Sequence, residues 1–137
     1  KFLIFCIFIF SLFSSIMTQV YSEIFLQVPC ALCWWQRVFM YGVVVISGTA
    51  LFARNNQEEK GIIRYLLNFS ILGFGFAIYQ HAMQMFALYG THLPCPVSGA
   101  DCSKMTLFEY GHITFPWMAV VLFGFFIAII FLHRRLK

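Results

Sequence analysis

Residues 30–53 read CALCWWQRVFMYGVVVISGTALFA, a cysteine pair running straight into an apolar stretch. From Trp34 to Ala53 the only charge is Arg37. A bilayer crossing needs about 20 mostly apolar residues at a rise of about 1.5 Å each, and this segment meets that requirement. Composition extends the reading to the whole chain: of 137 residues, 61% are hydrophobic and 10% charged, with a mean hydropathy of +0.83. Those values exclude a soluble globular domain. Four stretches qualify as spans, at about 2–21, 34–53, 62–89 and 113–132. The third exceeds one crossing, so it tilts or projects beyond the surface. The first resembles the apolar core of a signal peptide, but it is too long and has no small-residue cleavage pattern, and it reads as a retained span. The fold class is an all-α integral membrane four-helix bundle, one domain over 1–137 with no repeat or low-complexity tract.

Charge sets the expected orientation. Seven of the nine basic residues are Lys1, Arg54, Lys60, Arg64, Arg134, Arg135 and Lys137. An even number of spans puts all seven on one side, which the positive-inside rule makes cytoplasmic. Residues 22–33 and 90–112 then face outward, with four of the five cysteines and one cation, Lys104. Outside a bacterial plasma membrane, thiol pairs form disulfides and persist. The net charge of +4 follows from topology and lipid headgroups and gives no reason to expect nucleic acid. Residues 54–61 read as a polar cytoplasmic turn. The outward loop 90–112 holds Pro94, Pro96, Gly99 and Gly111, which disfavour regular structure. Trp34, Trp35 and Trp117 fall at outward ends of spans, where such rings prefer the headgroup layer.

The chemistry begins at Cys30 and Cys33. Two intervening residues let the pair close a small disulfide ring, and a helix start favours a thiolate through its unpaired N–H groups and dipole. Arg37 follows Cys33 by four residues, on the same face and one turn deeper. An arginine at the hydrocarbon centre costs about 2.5–3.5 kcal/mol on insertion scales, which marks it as functional by default. Its bland role is snorkelling to the headgroups; its chemical one is polarising a quinone carbonyl with a planar five-donor fork. Cys30, Cys33, Cys95 and Cys102 also have the makings of a Cys₄ zinc site. Against it, Cys95 and Cys102 have six residues between them, wider than usual for zinc, and face an oxidising side. Purely structural disulfides explain Cys95 and Cys102 but leave Arg37 unexplained. Cys6 reads as a small apolar filler. His81, in the third span, faces the bundle either as a helix-to-helix hydrogen-bonding group or as a cofactor ligand. His92, His112 and His133 read as solvated surface.

In order along the chain, Pro29-Cys30-Ala31-Leu32-Cys33-Trp34-Trp35-Gln36-Arg37, Tyr79-Gln80-His81, Pro94-Cys95 to Cys102-Ser103, and Gly111-His112-Ile113-Thr114-Phe115-Pro116 resemble the DsbB family of bacterial plasma-membrane disulfide bond formation proteins, in particular its short, BdbC-like members. The resemblance spans essentially the whole chain. It departs from the long members in the second outward loop, which here is compact with its cysteines seven positions apart. The resemblance implies an electron route: a reduced DsbA-like thioredoxin-fold partner attacks Cys95, Cys102 passes the reducing equivalents to Cys30 and Cys33, and Cys33 reacts with quinone (ubiquinone or menaquinone), assisted by Arg37 and with His81 in the cofactor site. Exchange of this kind proceeds through mixed disulfides.

Two rivals come from other classes. A VKOR-like quinone-linked thiol oxidoreductase carries its C-x-x-C at a late span, whereas here the motif precedes the second. A non-catalytic membrane scaffold or metal carrier with disulfide-stapled loops is the other, and quinone reduction by the purified protein separates it from an enzyme. The topology is testable by itself. Alkaline phosphatase, which needs an oxidising compartment, is expected to be inactive when fused after Lys137, and activity there overturns the orientation.

Overall fold

The structure, a computed structural model, describes residues 1–25, 31–53, 55–90 and 115–136. Four α-helices make up these segments: α1 (Phe2–Phe25), α2 (Ala31–Phe52), α3 (Asn56–Leu88) and α4 (Phe115–Leu136). Each is long and apolar enough to cross a membrane. Neighbours in sequence are neighbours in space: α1 packs on α2, α2 on α3 and α3 on α4, while a lighter α1–α4 contact closes the bundle. The pairings are antiparallel. Lys1 at the start of α1 reaches the end of α2, donating to Leu51 O at 3.3 Å and Ala53 O at 2.7 Å. Glu59 near the start of α3 meets His133 near the end of α4, and Tyr21 near the end of α1 meets Phe115 at the start of α4.

Helix boundaries depart from the sequence reading where local chemistry carries the helix further. Residues 54–61 were expected to form a turn, but α3 already begins at Asn56. Asn55 has the extended backbone of an N-cap, its carbonyl accepts Glu59 N–H at 3.1 Å, and Glu58 and Glu59 lie in the first turn. Acidic side chains there complement the positive end of the helix dipole. α2 ends at Phe52, and Arg54 lies outside the described residues. The far end of α3 closes on Gly90, whose φ of +82° is open mainly to glycine. With 33 residues, α3 runs about 50 Å and exceeds a bilayer core of about 30 Å.

Close approach, more than apolar burial, holds such helices together, because lipid is as apolar as the core. Ile7, Val43, Leu66, Ala77, Phe123 and Phe126 are essentially sealed from outside, while Phe13, Ile24, Val45 and Val121 point outward. Two glycines let aromatic rings lie on backbone: a Cβ at Gly42 would come within 2.6 Å of the Phe69 ring, and one at Gly73 would overlap the ring of Phe123. Buried hydroxyls bond back to their own helices, Ser15 to Ser11 O at 2.7 Å, Ser47 to Val43 O at 2.6 Å and Ser70 to Leu66 O at 2.9 Å. This satisfies them without a partner helix.

His133 overturns the expectation of a solvated surface residue. It is buried, and its Nε2 lies 3.0 Å from Glu59 Oε1. The cause is register: Phe126, Ile129, Ile130 and His133, all buried, recur at helical spacing on one face of α4.

The two α3 glycines make a controlled pair. Gly73→Ala is expected to destabilise the bundle by about 1–2 kcal/mol, because the enclosed Phe123 ring must move. Gly75 has open space around its Cβ position, so Gly75→Ala is expected to be neutral or stabilising through helix propensity alone. Thermal unfolding in detergent followed by circular dichroism checks both.

Candidate functional site

Cys33 is the third residue of α2, within its first turn, as expected from its place at the start of the span. Gln80 of α3 donates from Nε2 to Cys33 Sγ at 3.0 Å. Next to that contact, buried Leu32 and Met83 pack together, with Cys33 and Phe76 against them. Aromatic rings continue the wall deeper. Trp35 stacks on Phe76 with centroids 6.3 Å apart, and Phe76 meets Phe39 at 5.3 Å.

Arg37 shares the Cys33 face of α2 by spacing, yet its polar partners lie on another helix. The guanidinium donates from Nη2 to Thr18 O at 3.2 Å and to Ser22 Oγ, and from Nη1 to Gln19 Oε1 at 3.5 Å. Tyr41 O–H also donates to Gln19 Oε1, at 3.1 Å. Arg37 is therefore half-buried and ties α2 to α1, while Cys33 meets α3. His81, one residue after Gln80, turns to α4 and lies with its ring centroid 5.0 Å from that of Trp117. The helical step of about 100° per residue explains the split: Gln80 serves α2 and His81 serves α4.

Of the six residues singled out from sequence, the structure places Cys33, Arg37 and His81 at one end of the bundle. Cys30, Cys95 and Cys102 lie outside the described residues. Cys6 is half-buried in the first turns of α1 and is not in a disulfide. Gln80 was not singled out from sequence as a site residue. The available signal was a glutamine, with Gln84 one turn on, inside an apolar span at the end that carries the C-x-x-C. Both are buried, at 1% and 5% exposure. Gln84 Oε1 and Gln36 Nε2 are buried with no hydrogen-bond partner among the described residues, whereas the buried serines and the Glu59–His133 contact elsewhere in the bundle are bonded. A shallow groove between α2 and α3 at the opposite end, lined by Thr49, Phe52, Gly61 and Tyr65 among others, has no redox-active group.

A multi-pass helical membrane protein with a cysteine in the first turn of one span, bonded to a buried amide on the next, belongs to the class of membrane thiol proteins. The family model for "Disulfide bond formation protein DsbB" matches residues 1–133, and the chain belongs to the DsbB family. Among curated relatives, it is 36% identical over 112 residues to disulfide bond formation protein C of Bacillus subtilis strain 168, covering 82% of this chain and 76% of that one. It is 31% identical over 124 residues to a probable disulfide formation protein of Coxiella burnetii strain CbuK_Q154, covering 86% and 82%. A third relative, the SPbeta prophage-derived disulfide bond formation protein B of Bacillus subtilis strain 168, is 29% identical over 135 residues, covering 96% and 87%. No solved structure matches.

The contacts of Arg37 generate a stability prediction. Lysine keeps the charge but not the planar fork, and it cannot reach Thr18, Gln19 and Ser22 together. Arg37→Lys is expected to cost about 1–2 kcal/mol through lost interhelical hydrogen bonds, read as a lower unfolding midpoint in detergent. An unchanged midpoint would show that the α1 contacts contribute nothing.

Proposed function

We propose that this protein is a membrane thiol-disulfide oxidoreductase that reoxidises a DsbA-like, extracytoplasmic thioredoxin-fold protein and passes the electrons to a membrane quinone. The single domain 1–137 sits in a bacterial plasma membrane with both termini cytoplasmic and both cysteine pairs outside. The observation that carries the reading is the Cys33–Gln80 contact at the head of α2 in a chain of the DsbB family.

The thiol chemistry balances in two exchanges. A partner thiolate attacks Sγ of Cys95 in a Cys95–Cys102 disulfide; the S–S bond breaks, a mixed disulfide forms and Cys102 leaves as a thiolate. The partner's second thiol attacks its own mixed-disulfide sulfur, which releases oxidised partner and leaves Cys95 and Cys102 reduced. That dithiol then reduces the Cys30–Cys33 disulfide by the same chemistry, moving two electrons to the head of α2. Cys33, in the first turn of its helix, is the sulfur from which they depart.

The residues at this end fit a quinone. Among the described residues, three contacts from Arg37 go to α1, which leaves two of its five N–H donors. Buried Gln36 Nε2 and Gln84 Oε1 add an unused donor and an unused acceptor. Arg37 and His81 hold the head group in this reading, and Trp35 and Trp117 give apolar ring faces. When bound, a quinone, ubiquinone or menaquinone, supplies a two-electron, two-proton acceptor.

Trapping tests the order of events. When the partner's second cysteine is replaced by Ala, its remaining thiolate opens the Cys95–Cys102 disulfide and a mixed disulfide with Cys95 is expected to accumulate on non-reducing electrophoresis, since the thiol that would release the oxidised partner is gone. With Cys102→Ala in this protein, no disulfide is left at Cys95 for a reduced partner to open. Turnover of partner dithiol with added quinone is expected to fall to background. Undiminished turnover by the folded variant overturns the relay.

A further inference from the structure

We infer that Gln80 is a positioning residue for the reactive sulfur, its side-chain amide holding Cys33 Sγ in the anionic, attack-ready state. The inference rests on the reading of Cys33 as a redox thiol given above. Gln80 is 1% exposed, and a primary amide removed from water is costly unless it is hydrogen-bonded. An apolar side chain of similar size would fill the same volume without that cost, so packing alone does not account for glutamine here. The contact has a direction: Nε2 donates to Sγ at 3.0 Å. A thiolate only accepts, an amide NH₂ only donates, and a hydrogen bond made to the charged form of a group favours that form. Loss of the Cys33 proton to water moves no electrons, and it leaves an anion already facing its donor.

The surroundings fix the amide. Gln80 itself is 1% exposed, which leaves its side chain little room to swing away. Leu32 and Met83, at 1% and 2% exposure, pack with Phe76 and with Cys33, the sulfur's own residue. Among the described residues, charged and titratable groups at this end come from each neighbouring helix. On α2, Arg37 is one turn deeper and is engaged by Thr18, Gln19 and Ser22. On α3, His81 is turned to Trp117. On α1, Glu23 is exposed and Tyr21 lies against Phe115. The first turn of α4, Phe115-Pro116-Trp117, has no charge. Gln80 is the group whose hydrogen bond reaches the sulfur from α3.

Alkylation separates ionisation from access. In the full chain in detergent, with Cys6, Cys30, Cys95 and Cys102 replaced by Ala, Cys33 is the sole thiol and its reaction with iodoacetamide can be timed at about pH 7 and about pH 10, on either side of the ordinary thiol range. Gln80→Leu is expected to slow the reaction about tenfold at the lower pH, as befits one lost charge-assisted hydrogen bond, and to change it less than about twofold at the higher pH, where the thiol is ionised anyway. Gln80→Glu is nearly identical in size. It carries the test should the leucine variant not elute as a folded monodisperse species, and it is expected to slow the lower-pH reaction at least as much, because a carboxylate faces the developing anion. No slowing, or equal slowing at both pH values, overturns the role of Gln80. Partner-dithiol turnover by Cys33→Ser, in an otherwise unaltered chain, tests the underlying reading separately. Loss of turnover with an unchanged alkylation ratio removes only Gln80, whereas retained turnover removes the redox role of Cys33 whatever the ratio shows.

Discussion

A polar group inside a membrane bundle has to find its partner within the protein, since lipid offers none. That constraint organises the structure from end to end. In the middle, the buried serines turn back on carbonyls of their own helices and leave the helix faces free for rings to settle on Gly42 and Gly73. At the ends, longer polar side chains reach between helices. Glu59 and His133 join α3 to α4 at one end; Arg37 joins α2 to α1, and Gln80 joins α3 to α2, at the other. Non-specific apolar attraction cannot choose among helix registers in lipid, so these few directional contacts carry much of the specificity.

The two ends spend polarity differently. At the Lys1 end, the polar contacts tie helices and cap a terminus. Lys1 takes up carbonyls left open at the end of α2, which a helix cannot satisfy internally, and Glu59 meets His133. At the Cys33 end, the described residues include buried polar atoms with no partner among themselves. Gln36 and Gln84 keep buried atoms without partners among the described residues, and Arg37 has donors beyond those that α1 uses. Buried polar atoms left without a partner cost stability, so their concentration beside Cys33, among the described residues, suits a site that engages another molecule.

Fold and site were legible to different depths. The four spans could be read because twenty or so apolar residues have few alternatives in length and composition. The boundaries slipped where helix-end chemistry outweighed polarity: Glu58 and Glu59 read as turn residues because they are charged, yet charge of that sign suits the first turn of a helix. His133 was missed for a related reason. It lies beside Arg134 and Arg135, and only its spacing from Phe126, Ile129 and Ile130 shows that it shares their buried face. At the site, the position of Cys33 in the first turn of α2 followed from where the apolar run begins. The direction of Arg37 toward α1 did not, because spacing along one helix says which residues share a face but not which neighbouring helix their long side chains reach. Gln80 sat unremarked inside a quoted motif, since a glutamine in a span is informative only once its neighbour across the interface is known.

Arg37 and Cys33 illustrate why α2 is the element on which the site depends. They lie one turn apart on a single helix, so their spacing is set by backbone hydrogen bonds and varies little. Their partners belong to α1 and α3, so the register of α2 against both neighbours is pinned at the same level. A slide of α2 by one turn, about 5.4 Å, would break the Cys33–Gln80 contact and the Arg37 contacts together, and it would also carry Gly42 off the Phe69 ring. Packing and site geometry are in that sense one restraint: the glycine contact that lets α2 approach α3 is part of what presents the sulfur to the amide. A thiol placed on a helix held this way is more exactingly positioned than one on a connecting segment, which suits Cys33 to be the fixed member of any exchange in which a second cysteine pair must come to it.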